Sequence, residues 1–164
     1  MSERQYNVLV LCTGNSARSI LGEVLFNTLG RDRFKACSAG SRPAGKVNSF
    51  ALELLQERGH DIAGLRSKSW DEFAAAPQFD FIFTVCDNAA GETCPIWPGK
   101  PATAHWGIPD PAHVEGGDEA KRAAFRKAYE QLARRIQLFM SLPIEKLDKL
   151  TLKQKLAEIG QIKD

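Results

Sequence analysis

The sequence predicts an α/β protein: a single-domain, doubly wound, four-stranded parallel sheet with helices on both faces, plus a C-terminal helical extension. Three observations predict it. Short apolar runs alternate with stretches of helical periodicity, the pattern of a parallel sheet covered on both sides. The chain has 164 residues, 43% of them hydrophobic and 26% charged, which suits one domain with a core of its own. Two apolar runs, "NVLVLC" and "FDFIFTVC", end on cysteine, at the strand end where open α/β sheets collect their ligands.

Residues 6–11 read as a buried central strand. From Ser16 to Leu29 the pattern turns helical, with Ile20, Leu21, Val24, Leu25 and Leu29 on one stripe and Gly30 at its end. "FKACSAG" (34–40) is a second strand, in which Cys37 reads as a buried residue. Residues 48–58 form a helix that Asn48 caps and Gly59 stops. "RSKSWDEF" (66–73) suggests a short helix, residues 79–86 a third strand and 103–107 a fourth. Residues 117–140 make a long amphipathic helix, and Pro143 separates it from a Leu- and Lys-rich tail. The expected organisation is a catalytic domain over 1–140 with 141–164 as a helical extension packed on it.

Composition excludes several classes of function. A formal net charge of +2, from 22 basic and 20 acidic side chains, gives no electrostatic case for nucleic acid or membrane partners. No apolar run is long enough to span a bilayer. The polar start "MSERQYN" leads straight into a strand and does not read as a signal peptide, so a cytoplasmic location is expected. The four cysteines there read as chemical or buried groups before structural disulfides.

The first loop carries the chemistry. A strand, a small-residue loop and a helix start together make an anion site, with backbone N–H groups turned inward and the helix dipole behind them. Here the loop is Thr13, Gly14, Asn15, Ser16 and Ala17; Gly14 and Asn15 are suited to left-handed backbone. Arg18 adds a planar fork that matches two oxygens of a tetrahedral oxyanion. Cys12 lies at the base of this cradle, where the field that binds an anion also favours a thiolate. Ser19 is placed to donate a hydrogen bond to that sulfur. Nucleophile and clamp thus surround one tetrahedral centre.

The stretches "VLVLCTGNSARSILGE", "SAG" (38–40), "VNSFALELLQERGHDI" (47–62), "FTVCDNAAGETCP" (83–95) and "HWGIPDPA" (105–112) occur in that order. They resemble the low-molecular-weight protein tyrosine phosphatase superfamily, and more closely the arsenate reductases built on that fold, the thioredoxin-coupled type above all. The resemblance implies a low-molecular-weight phosphatase-like fold and carries roles onto matching positions. Cys12 is then the nucleophile and Arg18 the oxyanion clamp; the N–H groups of residues 13–18 line the loop, and Ser19 stabilises the thiolate. Asp110 is the general acid, and Cys86 and Cys94 are the thiols of a redox relay. The chemistry of Asp110 agrees independently, because attack at a tetrahedral centre expels an oxygen that a carboxylic acid can protonate. Pro111 would hold that loop stiffly.

Two chemistries share this pocket. Hydrolysis of a phosphomonoester through a phosphocysteine needs one cysteine and water. Reduction of arsenate to arsenite, an arsenic-detoxifying reaction, takes two electrons and so needs more thiols. The loop "CDNAAGETC" suits a segment that brings a second thiol to the first. Ala112 and His113 follow Pro111, where the phosphatases typically carry a tyrosine against an aromatic substrate. The expected function is therefore arsenate reduction through a cysteine–arsenic adduct and an internal relay, with phosphatase action as the alternative and a weak side activity. No tightly bound cofactor and no metal are expected; Cys86, Cys94, His105 and His113 do not have common zinc spacing. Arsenate or phosphate is the expected ligand, and thioredoxin, or glutaredoxin with glutathione, the external reductant. Seven residues separate Cys86 from Cys94, one more than the thioredoxin-coupled members usually have. Some members also bind potassium through an acidic residue in the region of "RSKSW"; Lys68 stands there instead, and its ammonium would supply the charge.

Overall fold

Val8, Leu9, Val10 and Leu11 are all buried because their strand lies inside the sheet, with a neighbour on each side. In the computed structural model, which describes residues 5–73, 78–87 and 101–162, this is β1 (Tyr6–Cys12). The other strands are β2 (Phe34–Gly40), β3 (Phe81–Thr84) and β4 (Ala102–His105). All pair in parallel, in the order β2-β1-β3-β4. The winding direction reverses between β1 and β3. The carboxyl ends of those two strands therefore form the crevice in which such sheets bind ligands.

Alternation along β1 divides the interior. Val8, Val10 and Cys12 face a large core that includes Ile20, Leu55, Leu132 and Leu156, one from each of α1 (Arg18–Gly30), α2 (Ser49–Glu57), α3 (Asp118–Met140) and α4 (Lys149–Gly160). Leu9 and Leu11 face a smaller cluster with Ala39, Phe79 and Ile82, against which Trp70 and Phe73 of a 3₁₀ turn pack. Aromatic rings fill the large core; the centroids of Phe83 and Trp106 lie 4.0 Å apart, and Phe139 stands edge-on to both. Such pairs add about 0.5–1.5 kcal/mol beyond the area they bury.

Local chemistry explains the element ends. Asn48 caps α2 by accepting from the N–H of Phe50 at 2.8 Å. Gly59, at φ +83°, releases the chain from the same helix. Asp148 caps α4 by accepting from the N–H of Thr151 at 2.7 Å. Several boundaries differ from the sequence expectation. The first helix starts at Arg18 rather than Ser16, because the carbonyls of Thr13, Gly14 and Ser16 accept from other segments and the helix opens with the bond from the Leu21 N–H to the Ala17 carbonyl. The third strand keeps only Phe81–Thr84 and the fourth runs over Ala102–His105; the short helix expected over 66–73 is a 3₁₀ turn at Trp70–Phe73. Among the described residues no helix is long and apolar enough to cross a membrane.

Gly40 ends β2 where the chain crosses behind the first loop. A Cβ there would press on the carbonyl oxygens of Thr13 and Cys12, the latter at 2.8 Å. Those are backbone atoms and cannot rotate away. Gly40→Ala should therefore lower stability by about 1–3 kcal/mol, the usual cost of overpacking a fixed site. Equilibrium urea unfolding measures this, and an unchanged midpoint would contradict it.

Candidate active site

The loop that follows Cys12 is built from the outside inward. The N–H groups of Arg42, Ala44 and Asn48 donate to the carbonyls of Thr13, Gly14 and Ser16 at 3.0, 2.9 and 2.8 Å. Ser67 Oγ also donates to the Gly14 carbonyl, at 3.0 Å. A peptide plane points its N–H opposite its C=O. Three outward carbonyls therefore turn the N–H groups of Gly14, Asn15 and Ala17 to the other side, above Cys12. This is a concave nest of donors at the start of α1, able to hold a tetrahedral anion. Of the two residues expected in left-handed backbone, Asn15 takes it, with φ +46°, and Gly14 does not.

Asn15 is held there by its own side chain. Its Nδ2 donates to Ser19 Oγ at 2.7 Å, and its Oδ1 accepts from the Lys68 N–H at 2.9 Å. Ser19 is fully buried and accepts this bond, so its own hydroxyl proton remains available to another acceptor. Beneath the loop lies a polar cluster. Lys68 Nζ stands 3.6 Å from Glu23 Oε1 and donates to the carbonyl of Arg66 at 3.0 Å and to Ser38 Oγ at 3.5 Å. Ser38 Oγ donates to Glu23 Oε1 at 2.5 Å. The sequence pointed to Lys68 but not to Glu23 or Ser38, which join it only through the fold. Beside them, burial pushes the Cys37 thiol up, and Glu23 adds to that against Lys68 and Lys35. Cys37 is half-buried rather than fully buried.

Arg18 is 3% exposed, and a buried guanidinium must be met by acceptors. Its Nη1 donates to the carbonyl of Ile108 at 3.0 Å and to that of Val85 at 3.5 Å. Its Nη2 stands 3.5 Å from Asp110 Oδ2. Arg18 thus joins the first loop to the segments after β3 and β4. Asp110 caps the turn Pro111–His113 by accepting from the Ala112 N–H at 2.9 Å, which fixes one carboxylate oxygen. The other lies 3.6 Å from His113 Nε2, a neighbour the sequence reading did not assign. The Asp110 side chain is 18% exposed, open enough to meet a ligand in the crevice.

Cys12 and Cys86 lie at neighbouring strand ends. Leu11 pairs with Thr84, and the Val85 N–H donates to the Leu11 carbonyl at 2.9 Å. Both cysteines are buried; Cys12 and Cys37 carry free thiols, whereas Cys86 is disulfide-bonded. Cys94 lies outside the described residues. His105 Nδ1 meets Thr84 Oγ1 at 2.8 Å. Burial holds this imidazole below its usual range; Asp87 opposes the effect and Arg135 reinforces it. Among the described residues no three of His, Cys, Asp and Glu gather as a metal-holding group.

Known proteins are similar to this chain in sequence and fold. The profile of the low molecular weight phosphotyrosine protein phosphatase family matches residues 7–154. An arsenate reductase of Halalkalibacterium halodurans is 36% identical over 132 residues, 80% of this chain and 93% of the relative. The crystal structure of an arsenate reductase from Archaeoglobus fulgidus aligns with a TM-score of 0.64 and 32% identity, over 79% of this chain and 98% of that one. A thioredoxin-dependent arsenate reductase of Corynebacterium glutamicum aligns with a TM-score of 0.62 and 26% identity, over 89% of this chain and 66% of that one. The chain belongs to the low molecular weight phosphotyrosine protein phosphatase family, and the relatives it resembles here are arsenate reductases.

Proposed function

We propose that this protein reduces arsenate to arsenite by an internal thiol relay. The observation that carries the proposal is the pairing of two cysteine-bearing strand ends at the switch point, one thiol free and the other oxidised. The arsenate reductases among its relatives support it.

In this reading the donors of residues 13–18 and the Arg18 guanidinium hold arsenate over Cys12. The Cys12 thiolate attacks arsenic; a sulfur–arsenic bond forms, an arsenic–oxygen bond breaks, and Asp110 protonates the departing oxygen. Ser19 supports the thiolate by donating to it. Cys86 then attacks the Cys12 sulfur. A disulfide forms, the sulfur–arsenic bond breaks, and its electron pair passes to arsenic, so arsenic(V) leaves as arsenic(III). Cys94 attacks the Cys86 sulfur and returns Cys12 as thiolate, leaving Cys86 bonded to Cys94. An external dithiol protein of the thioredoxin or glutaredoxin class supplies the next two electrons. A free Cys12 beside an oxidised Cys86 is the state expected after this sequence. Lys68, between Glu23 and Ser38, supplies fixed positive charge beneath the loop where a potassium ion would otherwise sit. Residues 1–140 carry the chemistry in this reading, and 141–164 form an appended element.

A second reading, hydrolysis of aryl phosphates, draws on the same cradle. It needs Cys12, Arg18 and Asp110 alone, and it is expected as a weak side activity. The two readings separate experimentally. Arsenate-dependent NADPH oxidation should be seen with a purified thioredoxin or glutaredoxin system, alongside slow aryl phosphate hydrolysis. Cys94→Ser should abolish the first, leave the second, and trap a Cys12–Cys86 disulfide visible by peptide mass mapping. If Cys94→Ser turns over arsenate normally with every donor tried, an outside thiol attacks the adduct and the internal relay is wrong.

A further inference from the structure

The last helix reaches the acid loop. Trp106 follows β4 and is fully buried against Phe83, so its indole N–H must find an acceptor inside the protein. It donates to the carbonyl of Leu156, in α4, at 3.0 Å. One turn on, Gly160 lets α4 close on the same segment: a Cβ there would lie 2.6 Å from the His105 carbonyl oxygen and 2.8 Å from Trp106 Cδ1. Arg135, 5% exposed on α3, donates through Nη1 to the Gly107 carbonyl at 3.3 Å and through Nη2 to the Ile162 carbonyl at 3.0 Å. The next residue, Ile108, has its carbonyl on Arg18, and Asp110 stands two residues further.

We propose that α4, with Arg135 of α3, positions the general acid: Gly160, the bond from Trp106 to Leu156 and Arg135 hold the segment 105–108, and through it set where the Asp110 carboxyl meets the leaving oxygen. These are positioning residues, and the proposal rests on the reading of Asp110 as the acid. The contacts favour this over simple coverage of the core. They fall on three consecutive residues, the last of β4 and the first two of the loop after it, two of them at backbone carbonyls, and that loop leads directly to Asp110.

The side reaction with aryl phosphates supplies the test. In its first step the Cys12 sulfur bonds to phosphorus, the ester P–O bond breaks, and the proton of Asp110 goes to the departing phenolate oxygen. Phenyl phosphate has a poor leaving group and needs that proton; 2,4-dinitrophenyl phosphate scarcely does. Full-length Gly160→Val and Arg135→Gln should lose about tenfold in kcat/KM on phenyl phosphate, and much less on the dinitrophenyl ester, as a small misplacement of the acid requires. Asp110→Asn should show the same selectivity with a larger loss, about 10²–10⁴-fold. Adding Gly160→Val to Asp110→Asn should cost nothing further. The Cys12 alkylation rate should stay at the wild-type value in both positioning variants, showing an intact loop. If Gly160→Val does not fold, Arg135→Gln decides alone. Equal losses on the two esters, or none, in the positioning variants while Asp110→Asn remains selective would overturn the proposal. A non-selective Asp110→Asn would overturn the acid assignment and the proposal with it.

Discussion

The site depends on one buried cation. Arg18 opens α1, yet its guanidinium leaves the helix and reaches the carbonyls of Val85 and Ile108 and the carboxylate of Asp110. Isolating a charge at this depth is costly, so the segments that meet it are bound to the arrangement. Each of them follows a different strand. One interaction therefore fixes three chain segments that lie far apart in sequence: the loop after β1, the segment of Val85 after β3 and the segment of Ile108 and Asp110 after β4. A lysine would place a single point of charge there and could not bridge the three with a planar fork.

A second layer holds the cradle in shape. Asn15 sits in left-handed backbone and links Ser19 to Lys68, while Lys68, Ser38 and Glu23 satisfy one another beneath it. Backbone in that region is unfavourable for a residue with a side chain, and it persists because the neighbours hold it. Such preorganisation has a chemical use. In the proposed reaction, donors already aimed at the anion would not need to reorganise as charge moves from sulfur to the leaving oxygen.

Much of this was legible in the sequence, for physical reasons. The run Val8–Leu11 is apolar without alternation, which marks a strand buried on both faces, and the small residues after it marked the turn to an anion site. Asn48 and Gly59 announced the two ends of α2. Asp110 with Pro111 was legible as a turn, which Asp110 caps, and the structure sets its carboxylate beside Arg18. The start of α1 differs from the expected Ser16, since Ser16 fits the helical pattern but spends its carbonyl on the N–H of Asn48. Glu23 was not legible: on a helix it looks like any solvated acid, and only the approach of Lys68 and Ser38 makes it part of the site. The bond from Trp106 to Leu156 joins residues 50 apart in sequence, and no local pattern encodes it.

In the proposed relay this one chain supplies both electrons of a turnover, from thiols arranged at the switch point around Cys12. The most direct measurement is arsenite formed by fully reduced protein mixed with arsenate in the absence of any added thiol. An internal two-electron relay should give about one arsenite per chain, with the loss of two titratable thiols and a free Cys12 at the end. Arsenite that appears only after an external thiol is supplied would contradict it.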